Sequence, residues 1–174
     1  MTPSAKATAS KGSHPNAHRG PLEWRMLLNW LAEDGILTPQ DVDTVMQRFA
    51  AGTSAQHPLV RLASLGLKRA DTGTALELEP LTEWLAQRVK LPYLRIDPLK
   101  VDVARVAEVM SITYAERRKA LPVFVGPTEI TIATSEPLDV AWVEEILAHT
   151  RKTIQLAVAN PLDLQRYRTE FYTL

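Results

Sequence analysis

Cysteine is absent from this chain of 174 residues, so disulfides, thiolate nucleophiles and zinc sites with sulfur ligands are excluded. No apolar run approaches the roughly 18 residues of a membrane-spanning helix, and the N-terminus lacks the apolar core of a signal peptide. A dominant charge is lacking too, since 20 Lys and Arg balance 20 Asp and Glu. A neutral chain is not drawn in bulk to nucleic acid or anionic membranes. We therefore expect a cytoplasmic protein that binds no nucleic acid.

Glycine is scarce, and none of the 7 glycines forms a loop that could cradle phosphates. The patterns G-x-x-x-x-G-K-[ST], G-x-G-x-x-G and G-x-S-x-G do not occur, so there is no triphosphate loop, dinucleotide fingerprint or nucleophile elbow. The histidines have structural explanations and form no set of metal ligands; they are His14, His18, His57 and His149. The sequence therefore predicts no catalytic, metal or nucleotide site, and we do not expect this chain to be an enzyme by itself.

The hydrophobic content of 45% is that of a globular protein, and only residues 1–20 depart from it. That segment carries three basic residues, no acid and no side chain that could anchor a core, so we expect a flexible tail.

Residues 21–90 have the apolar periodicity of amphipathic helices. A first helix ends at Asp34-Gly35, and Thr38-Pro39 begins a second. A third helix begins at His57-Pro58, and Pro80 opens a fourth. These signals predict a compact all-helical subdomain.

The first helix carries two tryptophans whose positions suggest a surface role. Trp24 and Trp30 are six residues apart, which is about 240° around a helix, so one core cannot hold both unless the apolar face is very wide. Met26 widens that face further. Two interpretations stay open: a helix buried on most sides, or a surface that meets a partner. The candidate partner-binding residues are Trp24, Met26 and Trp30.

Residues 91–174 mix short helices with β-rich runs. Ala120–Val125 and Glu129–Thr134 read as a hairpin, Glu136-Pro137 as a helix start, and Thr153–Ala159 as a third strand. Asn160-Pro161 caps a last helix. The predicted fold class is α+β: an N-terminal all-helical subdomain, then a small α/β sandwich-like subdomain with a three- to four-stranded sheet. Paired prolines and a shift in composition predict a mobile link around Lys90–Pro98.

Spaced motifs in this second half resemble the N-terminal domain of the type II secretion E-component ATPase and type IV pilus assembly ATPase family. The motifs are Leu91-Pro92-Tyr93, Ile96-Asp97-Pro98-Leu99, Leu121-Pro122-Val123, the run from Ile130 to Asp139, Asn160-Pro161 and the end from Tyr167 to Tyr172. Glu136 stands where the family usually has Asp. The resemblance covers about residues 81–174.

The resemblance implies a non-catalytic docking and regulatory domain that links the motor to the cytoplasmic domain of a bitopic inner-membrane component. Such a bacterial protein would be cytoplasmic and held at the inner membrane through that partner. A hexameric ATPase core is expected downstream, and ATP, magnesium and hexamer formation would belong only to that core. No cofactor is expected in these 174 residues. We expect the front end of such an ATPase; a stand-alone adaptor is an alternative.

Cyclic-di-GMP binding is the other alternative, because some members of the family bind it through two copies of a motif that begins Arg-Leu-Gly and ends in Gln. In this chain Met26-Leu27-Leu28 and His57-Pro58-Leu59 stand at the Arg-Leu-Gly positions, and Phe49 stands at a Gln position. Arg25 and Arg61 are nearby but out of register.

Overall fold

The computed structural model describes residues 19–50, 52 and 54–173. Most of the predicted tail, residues 1–18, lies outside the described residues. The chain forms two compact units, Leu22–Leu81 and Thr82–Leu174, and residues 19–21 belong to the second. The division falls inside a helix, nine residues before the boundary placed at 90/91 from the sequence. The two boundaries differ because the prolines after α4 mark the end of that helix, whereas the side chains that α4 packs against change partway along it.

The unit Leu22–Leu81 is helical. Its helices are α1 (Trp24–Glu33), α2 (Pro39–Ala50), α3 (Pro58–Ala63) and the first turn of α4 (Leu78–Val89). Helix α1 ends at Asp34, and Gly35 follows with a φ of 72°, a conformation that glycine adopts without steric cost. Thr38 and Asp41 cap α2 reciprocally, since each side chain accepts a hydrogen bond from the other's backbone N–H.

The core of this helical unit is built from aliphatic side chains, most of them from α1 and α3. Its fully buried members are Leu27, Leu28, Leu31, Val45, Leu59, Leu62, Leu76 and Leu81. Between α3 and α4 the chain forms a loop that contains a bridge between Lys68 and Ala75 and an ion pair of 2.8 Å between Arg69 and Asp71.

The unit Thr82–Leu174 is built on a sheet of three strands in the order β1 (Ala120–Val125), β2 (Glu129–Thr134) and β3 (Thr153–Val158). Strands β1 and β2 form the predicted antiparallel hairpin, whereas β2 and β3 pair in parallel. The register of the hairpin shifts between Pro122 and Phe124. The predicted α+β fold class, with a helical part followed by a small sheet, is confirmed.

Helices cover both faces of this sheet. They are α5 (Val103–Val109), α6 (Ile112–Arg118), α7 (Val143–Thr150) and α8 (Pro161–Tyr172). The unit also contains the rest of α4 and a 3-10 turn (Pro98–Lys100). Leu121 and Ala133 share a core cluster with residues of α5 and α8. Because side chains alternate along a strand, the fully buried Ile132 points to the opposite face. Helix α7 packs against β3.

Helix α7 begins later than the sequence predicted. Glu136-Pro137 was expected to open it, but the first helical residue is Val143. The intervening residues form a buried turn in which the Asp139 N–H donates to the carbonyl of Glu136 and the Trp142 Nε1–H donates to that of Asp139. Tertiary packing thus overrides a local helix-start signal.

The segment predicted as a mobile link is hydrogen-bonded to the sheet. The Leu94 N–H donates to the carbonyl of Val158 at 2.9 Å, and the Val158 N–H donates to the carbonyl of Pro92 at 2.8 Å. Tyr93 thereby pairs with Val158 in parallel, beside the edge of β3 that β2 leaves open. Leu91 and Ile96 are buried on either side of this bridge.

Within the described part of the chain, none of the helices has both the length and the apolar character that crossing a bilayer requires.

Candidate docking surface

Helix α1 presents two different edges beside its buried leucines. At 3.6 residues per turn, Trp24 lies on the same side as Leu28 and Leu31, whose side chains are fully buried. Met26 is about 200° from Trp24, whereas Trp30 follows Met26 by four residues and shares its face. All three predicted partner-binding side chains are half-buried. The structure therefore groups Met26 with Trp30 and separates them from Trp24.

Trp24 belongs instead to a row of side chains that joins α1, α2 and α3. Its ring meets the Phe49 ring edge-to-face, with centroids 5.2 Å apart. The Arg25 guanidinium lies 4.5 Å from the centroid of Trp24, and the Arg61 guanidinium lies 4.0 Å from that of Phe49. Both distances are within the range of cation–π attraction. We call this row, Arg25–Trp24–Phe49–Arg61, the arginine–aromatic stack.

The cations of the arginine–aromatic stack are held by rings rather than by carboxylates. Among the described residues, neither Arg25 nor Arg61 forms an ion pair. Arg25 is exposed and Arg61 is half-buried, so both residues are at least partly accessible to solvent. The stack is thus a small positive surface with an aromatic centre.

The sequence did not assign Arg25, Phe49 or Arg61 to a site. Against the nucleotide-binding motif, Arg25 and Arg61 are out of register, and Phe49 stands where that motif has Gln. The contacts that unite them cross three helices, and no periodicity within one helix reports such contacts. The available signal was an aromatic or arginine side chain beside the apolar stripe of each of the three amphipathic helices.

The α+β unit carries a second polar and aromatic cluster. The Tyr114 hydroxyl donates to the Glu145 carboxylate at 2.9 Å, and the Arg118 guanidinium lies 3.7 Å from the same oxygen. Tyr114 also packs edge-to-face against Trp142. Burial and the neighbouring Glu145 raise the pKa of Tyr114. These contacts tie α6 to α7, so the cluster has a structural role.

Two side chains of α8, the buried Arg168 and the half-buried Tyr172, have shifted pKa values. Burial lowers the pKa of Arg168, against the attraction of Glu116 and Tyr172. Burial raises the pKa of Tyr172 to about 12, and its hydroxyl donates to the carbonyl of Met110 at 2.8 Å. The bond from Tyr172 anchors the last helix to the end of α5.

Isolated apolar side chains reach solvent on the α+β unit. Leu99, in the 3-10 turn, is 94% exposed, and Ile112, Phe124 and Leu162 are less so. They lie on four different elements and are scattered along the chain.

No group of three or more potential metal ligands is present among residues 19–50, 52 and 54–173. His57 acts as the N-cap of α3, where its Nδ1 accepts a hydrogen bond of 3.1 Å from the Leu59 N–H. His149 is exposed in the last turn of α7.

Residues 89–174 match the family described as the MshEN domain. A curated relative, the type IV pilus assembly ATPase TfpB of Acinetobacter baylyi, is 42% identical over 154 residues. The alignment covers 87% of this chain and 26% of the relative, so the chain spans about a quarter of that protein's length.

Two solved structures share the fold. The structure of MshE with cdg has a TM-score of 0.60 at 22% identity, covering 84% of this chain and 98% of that one. The N-terminal domain of XpsE has a TM-score of 0.53 at 18% identity, covering 90% of this chain and 99% of that one. An MshEN domain is the non-catalytic N-terminal domain of an ATPase, so these residues are not its catalytic core. The resemblance seen in the motifs is confirmed, and the chain belongs to the family of N-terminal domains of type II secretion and type IV pilus assembly ATPases.

Proposed function

We propose that this chain is a docking and regulatory domain that links the motor of a secretion or pilus ATPase to the cytoplasmic domain of a bitopic inner-membrane component. The observation that carries the proposal is the 42% identity to a type IV pilus assembly ATPase. The alignment covers 26% of that relative's length. The rest of that relative has room for a motor. We infer that an ATPase core, with its ATP, magnesium and hexameric assembly, works together with this domain.

The helical unit supplies the surface that we assign to the partner. Met26 and Trp30 lie together on one edge of α1, and both are half-buried. Large apolar side chains that remain partly exposed side by side are typical of protein interfaces. Trp24 contributes from the arginine–aromatic stack on the other edge.

The direct test is a calorimetric titration of the purified chain with the cytoplasmic domain of the bitopic component from the same organism. We expect saturable binding, and we expect the chain to hydrolyse no ATP in the absence of a motor core. Turnover by the pure chain would contradict the non-catalytic role, and lack of binding would contradict the docking role. Fractionation of cells with and without the component would test the inner-membrane location.

Charge introduced on the Met26 edge tests the surface itself. Met26→Glu and Trp30→Glu are expected to weaken partner binding, because each would place an unpaired charge in an apolar contact. Asn29→Glu is the matched control, since Asn29 is exposed on the same helix. Equal binding by all three variants, with folding verified by circular dichroism, would discard this surface.

Cyclic-di-GMP binding is the second candidate function. The likeness in fold to MshE, solved with cdg, favours it, and guanidinium and aromatic planes such as those of the arginine–aromatic stack are surfaces on which purines stack. Calorimetry with cyclic di-GMP, and with GTP as the control ligand, tests it. Saturable binding in the micromolar range supports this candidate, and the absence of heat exchange removes it.

A stand-alone adaptor with the same fold would bind the same partner without any motor of its own. The native coding frame beyond Leu174 distinguishes it from an ATPase front end. Continuation into a segment with G-x-x-x-x-G-K-[ST] supports the ATPase, and an immediate stop codon supports the adaptor.

A further inference from the structure

We propose that the arginine–aromatic stack of the helical unit binds an extended acidic segment of the docking partner, with a carboxylate on Arg25 and another on Arg61. This inference rests on the proposed docking function. It names the part of the surface, and the chemistry, through which one partner segment is recognised.

Aromatic rings contact both arginines of the arginine–aromatic stack. Each guanidinium lies over a ring, at 4.5 Å for Arg25 on Trp24 and 4.0 Å for Arg61 on Phe49. Stacking occupies the face of a guanidinium, whereas its N–H donors lie in the plane and point outward. A carboxylate can therefore form two parallel hydrogen bonds to each arginine without displacing the ring.

The ring contacts also lower the entropy cost of binding. An arginine side chain normally loses much rotamer freedom when a ligand immobilises it. Here each arginine side chain already contacts a ring, and the Phe49 ring is itself buried at 6% exposure. A prearranged pair of cations binds an anion more tightly than two mobile ones would.

Charge complementarity favours an acidic segment at the arginine–aromatic stack. The helical unit, residues 22–81, carries five Lys and Arg against eight Asp and Glu, a net charge of −3. A strongly acidic partner segment would be repelled from most of this unit. The arginine–aromatic stack, where two cations lack ion pairs among the described residues, is where such a segment would be attracted.

The spacing of the stack restricts the segment. The three distances along the row limit the separation of the two guanidinium carbons to about 14 Å, a span that about four residues of extended chain cover. Trp24, which is half-buried, belongs to the same row of contacts. The matching segment has two acidic residues at most about four positions apart, with an apolar side chain between them to cover the indole.

The experiment uses the whole chain and the cytoplasmic domain of the bitopic component. Binding is measured by calorimetry at low and at physiological ionic strength for the wild type, for Arg25→Gln with Arg61→Gln, and for Arg48→Gln. Arg48 is the matched control because it is exposed on α2 and makes no ring contact within the described residues. Overlapping synthetic peptides that cover the partner domain are then titrated against the same three proteins.

We expect the double variant to bind the partner at least about tenfold more weakly and to lose most of the salt dependence, while Arg48→Gln resembles the wild type. The tightest peptide should contain the acidic–apolar–acidic spacing and should bind the double variant poorly. Partner binding that the double variant leaves unchanged would overturn this inference and leave the docking function standing. No binding by the wild type would overturn the docking function, and this inference with it.

Discussion

At the scale of single residues, the two sides of α1 make different contributions to stability. Leu28 is fully buried, whereas Met26, two positions earlier, is half-exposed. Leu28→Ala is expected to lower the free energy of unfolding by about 2–5 kcal/mol, because it removes a side chain and leaves a cavity. Met26→Ala should cost less than about 1 kcal/mol, since water already reaches that side chain. Urea unfolding followed by circular dichroism measures both, and equal losses would contradict this assignment of faces.

A second residue-scale prediction concerns Tyr172 and alkaline pH. Burial raises the pKa of Tyr172 in the folded chain from its ordinary value of 10.0 to about 12. Since the folded pKa is the higher one, the stabilisation is complete below the unfolded pKa and is lost as the pH rises from about 10 to about 12. The free energy of unfolding of the wild type should therefore fall relative to that of Tyr172→Phe across this interval. Parallel pH profiles for the two proteins would contradict the prediction.

At the scale of elements, α8 depends on its cap. The Asn160 Oδ1 accepts hydrogen bonds from the Leu162 N–H at 2.8 Å and the Asp163 N–H at 3.2 Å, and Pro161 occupies the first helical position. Asn160→Ala is expected to destabilise the chain by about 1–2 kcal/mol, because two backbone donors lose their acceptor. Gln165→Ala, an exposed change on the same helix, is the control. Thermal unfolding that is the same for both variants would argue against this role for the cap.

The ends of helices show which features of this fold could be predicted from the sequence and which could not. Asp34-Gly35, Thr38-Pro39 and Asn160-Pro161 act where the sequence placed them, because caps depend on a few adjacent residues. Glu136-Pro137 does not begin α7, because a buried turn occupies that stretch. The contacts of the arginine–aromatic stack could not be predicted, since they join three helices and depend on how the helices pack.

At the scale of the whole molecule, the parallel bridge changes the interpretation of the chain between the predicted subdomains. A composition shift and two prolines are typical of linkers, and both are present. Yet proline has a carbonyl that can accept, and the carbonyl of Pro92 accepts from Val158 while Leu94 donates back to the same residue. A proline-containing segment can thus form one bridge to the edge of a sheet. If this chain links a motor to the membrane, as we propose, the link would not flex at residues 92–94.

Limited trypsin digestion tests this rigidity. Lys90 and Arg95 are exposed and flank the bridge. Cleavage requires a segment of chain to open, so we expect the peptide bonds after Lys90 and Arg95 to be cut only after local unfolding.

Leu94→Pro removes the N–H that donates to Val158 and should speed cleavage at Arg95 by about tenfold or more, because a lost pairing lowers the free energy of opening. Leu94→Ala keeps that N–H and controls for loss of the side chain. Rapid cleavage of the wild type at either bond would support the mobile link predicted from the sequence. Equal cleavage rates for the two variants would show that the hydrogen bond does not protect the segment.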